Sequence, residues 1–262
     1  MIRLLLRASA VLSLAAAGAA AAASELPAPL EAALANQPES VKPERVALRM
    51  TVNRESILVE IRPGQAERER RYTLLQPADE ASLTEEQAEM WAGFSTDEAD
   101  GDDLSPGEGG DRAYWLGAFD SEALREAIGG QARFEREIDG RRVYSFDPES
   151  LPGQSGDAGE RAALLDNLRA EIEIDPDREE VQAVRFDLIE SFKPNFAARM
   201  REFSLEHRFV HEPALNGPRF SGMTMSMAGA AVFQPFNQTM DIELVSVRYP
   251  AASALEGEAE SP

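Results

Sequence analysis

The chain has two histidines and no cysteine, so the side chains that most often bind transition metals or act as nucleophiles are scarce. His207 and His211 are four residues apart, a spacing that places two side chains on one face of a helix. The residues around them alternate as in a strand, where positions four apart lie about 13 Å from each other at ~3.3 Å per residue. Because one zinc ion needs closer ligands, we interpret both histidines as rim or surface residues of a sheet.

Motifs for other kinds of catalysis are incomplete. Ser221 is followed by Gly222, but the position two residues before it is not a glycine, so the nucleophile elbow G-x-S-x-G is not formed. The glycines from Gly107 to Gly110 lack the Lys and Ser/Thr of a phosphate-binding loop. We therefore predict that the protein is not an enzyme, that it has no catalytic or metal site, and that it needs no cofactor.

Two acidic segments resemble parts of calcium sites. Asp97 to Asp103 offers many oxygens in a stretch without apolar periodicity, which we interpret as an acidic loop over residues 95–111. Asp175, Asp177 and Glu179 copy the start of a calcium loop, but the glycine at position six and the acid at position twelve are missing. We predict a hairpin turn there and leave calcium binding by the longer loop open.

Charge and the first residues limit the compartment and the partners. The chain has 26 basic and 47 acidic residues, and its formal net charge of −21 disfavours nucleic acid and anionic membrane surfaces. Arg3 and Arg7 precede an apolar, alanine-rich stretch that ends in small residues near Ser24. This layout predicts a cleavable signal peptide over residues 1–24, periplasmic localisation and no stable membrane insertion, with an uncleaved anchor as the alternative.

Period-two alternation of apolar residues predicts most of the remaining elements. Asp139-Gly140 is the pair that a type I′ hairpin turn favours, Asn53-Arg54 and Ala228-Gly229 are further turn candidates, and Ser82 with Glu85 has capping-box spacing. Helices are predicted near residues 30–35, 82–94, 121–129 and 160–168. Strands are predicted over residues 46–52, 56–62, 70–76, 132–138, 141–146, 168–174, 181–190, 199–211, 219–227 and 232–249.

Long runs of neighbouring strands favour an α+β fold, because alternating β-α units would give a parallel sheet. We expect a curved antiparallel sheet of about ten strands, an incomplete β-barrel, with about three helices over its open side. Residues 25–250 are predicted to form one β-rich domain, followed by a disordered tail over residues 251–262.

The stretch from Ala170 to Tyr249 resembles the periplasmic outer-membrane lipoprotein-sorting family with the LolA/LolB-type fold. The resemblance lies in the strand ending at Asp175-Pro176, the strand from Val184 to Leu188, the segment Phe192-Lys193-Pro194 and the final strand ending at Tyr249. It implies a non-catalytic binding or carrier protein whose partner is an apolar ligand, such as an acyl chain, a lipid or a lipoprotein. It also implies an early arginine that holds the cavity closed, for which Arg45, Arg49 and Arg54 are alternatives.

Alternation along three strands indicates which residues would line such a cavity. Methionine is flexible and polarisable, so a face rich in methionine adapts to ligands of variable shape. The alternative is that these residues fill a closed core and that the protein is a periplasmic interaction or sensor module with a protein partner. The candidates are Met223, Met225, Met227, Met240, Ile242, Leu244, Val184, Phe186 and Leu188.

Overall fold

A computed structural model of the chain describes residues 26–38, 41, 43–65, 71–95, 121–150, 158–195, 198–232 and 234–250. The predicted signal peptide, nearly all of the predicted acidic loop and the predicted tail lie outside the described residues. None of the helices within those ranges is long and apolar enough to cross a bilayer.

Eleven strands of the described residues form one open antiparallel sheet. The strand order is β3-β2-β1-β11-β10-β9-β7-β6-β5-β4, and β8 pairs with β9 beside this path. The first and last strands of the chain, β1 and β11, are therefore neighbours inside the sheet. The strands are β1 Arg45–Val52, β2 Glu55–Ile61, β3 Tyr72–Gln76, β4 Arg133–Ile138, β5 Arg141–Phe146, β6 Leu168–Asp175, β7 Glu180–Leu188, β8 Phe192–Asn195, β9 Ala198–Glu212, β10 Gly217–Ala231 and β11 Gln234–Arg248.

Within the described ranges, four α-helices of eight or more residues pack near the two flanks of the sheet. They are α1 Ala28–Ala35, α2 Glu85–Ser95, α3 Ser121–Ile128 and α4 Ala158–Leu165, and a single 3₁₀ turn covers Glu80–Ser82. Helix α1 contacts β6, β7 and α3, whereas α2 contacts β2 and β3, and α4 contacts β8. The prediction of an α+β fold with a curved, open antiparallel sheet is confirmed, with eleven strands in place of about ten and four helices in place of about three.

The core follows from alternation that stays in register across the sheet. Strand β6 shows this clearly, since every second residue from Leu168 to Ile174 is buried. The same burial pattern continues from strand to strand, because residues opposite each other in paired strands point to the same face of the sheet. One row of such positions crosses eight strands, and we call the face that bears it the inner face. The row is Tyr144, Ile172, Val184, His207, Met223, Ile242, Met50 and Ile57.

Two predicted turns have the backbone geometry that their residues favour. Asn53 and Arg54 have φ of 47° and 87°, and Asp139 and Gly140 have φ of 50° and 79°. Two consecutive residues with positive φ match the right-handed twist of the flanking strands. These turns fix the registers of the β1–β2 and β4–β5 hairpins.

The predicted N-cap of helix α2 is wrong by two residues. The capping pair is Thr84 with Gln87: the Gln87 N–H donates to Thr84 Oγ1 at 3.2 Å, and the Thr84 N–H donates to Gln87 Oε1 at 3.0 Å. The hydroxyl of Ser82 instead donates to the carbonyl of Asp79, within the preceding 3₁₀ turn. Both pairs have the same spacing, and the sequence offers two overlapping choices.

The predicted turn at Ala228-Gly229 is also wrong, since β10 continues through it and turns at residue 232. Gly229 has a packing role in place of a turn role. A Cβ atom built on Gly229 would lie 2.3 Å from the carbonyl oxygen of Arg199 and 2.8 Å from the ring of Phe236. Phe236 therefore packs over the glycine, and the hairpin of β10 and β11 extends to the pair Ala231–Gln234.

The segment around Lys193-Pro194 forms β8, a short strand that alternation did not predict. It pairs with the start of β9 at Phe192–Met200 and Asn195–Ala198. The helix predicted over residues 160–168 ends at Leu165, because Leu168 pairs with Leu188 in the sheet.

We expect Gly229→Ala to destabilise the protein by about 1–3 kcal/mol, because the new methyl group overlaps a backbone carbonyl that two paired strands hold in place. Urea denaturation of wild type and variant measures the change. Gly64→Ala is the matched control, since a Cβ atom at Gly64 meets nothing within 4 Å. Equal stability of the two variants would contradict this account of Gly229.

Candidate functional site

The nine candidate cavity residues occupy the inner face, but they divide into two groups by burial. Five of them are at most 7% exposed and belong to the hydrophobic core: Val184, Phe186, Met223, Ile242 and Leu244. The other four are half-buried: Leu188, Met225, Met227 and Met240. The buried and the half-buried candidates occupy different parts of each strand. On β10, for example, Met223 is buried, whereas Met225 and Met227, which follow it, are half-buried.

Burial decreases from one row of paired residues to the next. In the row through His207, Met223 and Ile242, all three side chains are buried. In the next row, Met225 pairs with Leu205 on one side and with Met240 on the other, and both methionines are half-buried. The inner face therefore becomes more exposed toward the β10–β11 turn.

Unequal strand lengths explain this gradient. Strands β9, β10 and β11 have 15 residues each, whereas the neighbouring β1 and β7 have 8 and 9. Strand β1 pairs with β11 only as far as Met240, and β7 pairs with β9 only between Ser204 and Arg208. Beyond these pairs the three long strands extend without full-length neighbours, so their inner side chains have fewer side chains around them.

Four half-buried methionines lie on this part of the inner face, and we call them the methionine rim. Phe203, which pairs with Met227, is also half-buried and packs against the core. The rim combines side chains with three rotatable bonds and a polarisable sulfur, and such a surface repacks around different apolar shapes. Its members are Met200, Met225, Met227 and Met240.

Aromatic residues of α2 form a separate half-buried group on the β2–β3 flank. The ring of Phe94 lies 5.8 Å from that of Tyr72 and 6.4 Å from that of Trp91, measured between centroids. All three pack against the hydrophobic core. They link the helix to edge strand β3.

His207 is not the surface or rim residue that we predicted. It lies in the middle of the eight-strand row, only 6% exposed, between Val184 and Met223. Its ring meets Phe220 edge-on at 6.3 Å between centroids. Burial disfavours the charged imidazolium and lowers the pKa of His207 to about 4. The sequence prediction correctly took the residue as part of a strand but did not identify its face.

His211 lies on the same side of β9, at the end of the sheet opposite the methionine rim. Its Nδ1 is 2.7 Å from Oε1 of Glu180, a carboxylate that is 2% exposed and whose Oε2 has no hydrogen-bond partner. The register of β7 and β9, continued by three residues beyond Ala183 and Arg208, brings the two residues opposite each other. Among the residues that the structure describes, no three His, Asp or Glu side chains group as metal ligands.

The two other clusters with possible chemistry are occupied by local interactions. Asp175 accepts the backbone N–H groups of Asp177 and Arg178 at 3.0 and 3.2 Å, as a hairpin turn requires. In the basic run at the β4–β5 hairpin, Arg136 forms a bidentate pair with Glu171. That pair lowers the pKa of the Glu171 carboxyl through the hydrogen bond from the guanidinium.

None of the three arginines proposed to close a cavity lies on the inner face. Arg45 and Arg49 alternate with the buried Val46 and Leu48, so they point to the outer face. Arg49 there contacts Glu243 at 2.5 Å. Arg54 is exposed in the β1–β2 turn.

Comparisons with known proteins give no relatives to guide the assignment. No family model matches the chain, and neither a curated protein nor a solved structure is similar to it. The functional argument therefore depends on the arrangement of the residues.

We expect the stability of the protein to fall as pH decreases from about 6.5 to about 4, because the unfolded chain binds a proton at His207 that the folded chain excludes. Between about pH 7.5 and about pH 5.5 this residue should remove about 1 kcal/mol from the free energy of unfolding. Urea denaturation at the two pH values measures the loss in wild type and in His207→Leu. The free energy of unfolding of the variant should decrease less than that of wild type, by that amount. An equal decrease in both proteins would refute the lowered pKa of His207.

Proposed function

We propose that this chain is a non-catalytic binding or carrier protein for an apolar ligand, such as an acyl chain or lipid, and that the methionine rim is where the ligand binds. The observation that supports the proposal is the gradient on the inner face, from buried rows to a group of half-exposed, flexible apolar side chains. Water-exposed apolar surface that adjoins a core is a favourable place to bury a hydrocarbon chain.

The energy for binding would come from burial of apolar surface. Each methylene group removed from water contributes about 0.8 kcal/mol, so a chain of moderate length supplies a useful affinity even after its lost freedom is subtracted. Four methionines with flexible side chains adapt to chains of different length and saturation. No cofactor is needed for this kind of binding.

The ligand would bind next to the packed core and not within it. Val184, Met223 and Ile242 are already in contact with their own neighbours, and displacing them would open a costly cavity. Met225 and Met240 lie in the last inner-face row that reaches β1 and β7, and Met227 lies beyond it, where these neighbours are missing. A ligand there would lie along the rim and replace water.

An exported, lipoprotein-sorting type of role is the form of this proposal that the sequence resemblance suggests. The open antiparallel sheet with helices beside it supports that reading at the level of fold. The position of Arg45, Arg49 and Arg54 does not add to it, since these arginines lie away from the inner face. Periplasmic location and the signal peptide belong to the same proposal.

A second candidate function, a protein-interaction or sensor module with a filled core, has its own supporting observation. Edge strand β4 pairs only with β5, and all six of its residues are exposed. Phe134 and Ile138 on this strand are 56% and 46% exposed. An exposed edge with apolar side chains is a template for strand addition by a partner.

We expect the double variant Met225→Gln/Met227→Gln to bind a fluorescent fatty acid at least about tenfold more weakly than wild type, because amide groups in the rim keep water that the ligand must displace. Fluorescence titration measures the dissociation constants. Val210→Gln/Val245→Gln is the control: both valines are about two-fifths exposed, at 39% and 42%, outside the rim. Equal weakening in both double variants would refute binding at the rim.

Native mass spectrometry of the protein purified from its own source distinguishes the two functions. The carrier proposal predicts co-purified acyl species that are present in wild type and depleted in Met225→Gln/Met227→Gln. An interaction module predicts an unliganded chain in both proteins. Repeated purification without any bound apolar species would favour the module.

A further inference from the structure

Three arginines occupy one lateral row on the outer face, at the end of the sheet opposite the methionine rim. Arg45 of β1 lies directly opposite Arg248 of β11. The register of β1 and β2 pairs Val46 with Ile61, and one further residue brings Arg62 opposite Arg45. Adjacent strands are about 4.8 Å apart, so the three side chains leave the sheet side by side.

Like charges in directly opposite positions are unfavourable, and the local carboxylates compensate only in part. Oε1 of Glu60 contacts both Nε and Nη2 of Arg62, at 2.7 and 2.6 Å, and its Oε2 is 3.9 Å from Arg45, too long for a hydrogen bond. Glu44 is 3.4 Å from Arg248. These three arginines and two glutamates leave a local charge of +1 in a chain whose net charge is −21.

A surface cleft adjoins this row. Its volume is about 470 Å³, and Arg45 and Arg62 form part of its wall together with Pro43, Glu44, Gly64 and Gln65. The side chains of Arg45 and Arg62 are 50% and 39% exposed, so their guanidinium groups are accessible to a solute. The cleft is large enough for a small organic anion.

We propose that this cleft, which we call the arginine cleft, binds a small oxyanion, a carboxylate or phosphate group, between Arg45 and Arg62. The planar guanidinium group of Arg45 can present paired N–H donors that match two oxygens of such a group. Arg62, whose Nε and Nη2 are both bound to Glu60, can add its Nη1 donors. A bound anion would relieve the repulsion between the neighbouring arginines. This site is separate from the methionine rim. It would bind an anionic group, whereas the rim would bind an apolar one.

Titration with inorganic phosphate and, separately, with acetate tests the proposal at constant ionic strength kept with chloride. We expect saturable shifts of the backbone amide resonances of Gly64 and Gln65 in an NMR spectrum, and the tighter of the two probes identifies the preferred oxyanion. Arg45→Gln and Arg62→Gln should each weaken binding at least about fivefold. Shifts that rise linearly with both probes, without saturation, would overturn the proposal.

Two pairs of variants separate the local site from the overall charge. Arg133→Gln removes the same charge from a remote exposed position and should change the dissociation constant less than about twofold. Glu60→Gln removes the carboxylate that competes for Arg62 and should tighten binding, whereas Glu137→Gln on β4 should not. The site is refuted if the cleft variants and their charge-matched remote controls change the dissociation constant equally. This holds even when the wild-type titration saturates.

Discussion

The structure depends on hydrophobic alternation that stays in register from strand to strand. A shift of one residue in any pair would turn a whole row to the other face. On the inner face this would expose residues such as Ile172, Val184 and Ile242, and it would bury the polar row that lies beside them. That polar row crosses the same eight strands and consists of Ser145, Glu171, Arg185, Glu206, Thr224, Asp241, Thr51 and Ser56.

The polar row specifies the register more than it adds to stability. Exposed ion pairs such as Arg185–Glu206, at 2.6 Å, contribute about 0–1 kcal/mol each. Their burial in a wrong register would cost several times more, because charges without solvation are strongly disfavoured. The two faces thus differ so strongly in chemistry that one pairing is favoured over its neighbours. His207 interrupts the apolar row on the inner face, and its burial there lowers its pKa.

Sequence reasoning predicted the fold well because the signal for it is local. Alternation along a strand identifies a buried face, and pairs such as Asp139-Gly140 identify a turn. The errors arose where the deciding contacts are distant in sequence. Glycine is a residue type that turns favour, but Gly229 lies within a strand. It is needed there because the ring of Phe236 and the backbone of Arg199 on neighbouring strands leave no space for a Cβ atom. The short strand β8 exists because it pairs with β9, and alternation over four residues carries too little information to reveal it.

The candidate site was harder to predict for the same reason. Nine residues were placed on one face, but their burial depends on how far each neighbouring strand extends, which the sequence of a single strand does not contain. Only the comparison of β9, β10 and β11 with the shorter β1 and β7 separates core residues from rim residues. Glu180 was not recognised at all, because its partner His211 is 31 residues away and nothing in its local pattern distinguishes it from a solvated acid.

A filled core and a place to bind a ligand are compatible in this architecture. The side chains of the row through His207 pack against each other and leave no space for a ligand. This row therefore stabilises the sheet, whereas a half-exposed binding surface contributes little to stability. The next row, which contains Met225 and Met240, is the last that reaches β1 and β7, and beyond it the same face loses these lateral neighbours while its composition remains largely apolar. Because the half-buried side chains on this part of the face include the flexible Met225, Met227 and Met240, ligand binding would require repacking of side chains only, and the strands that hold them would keep their pairing. The choice between carrier and interaction module therefore depends on what covers the methionine rim.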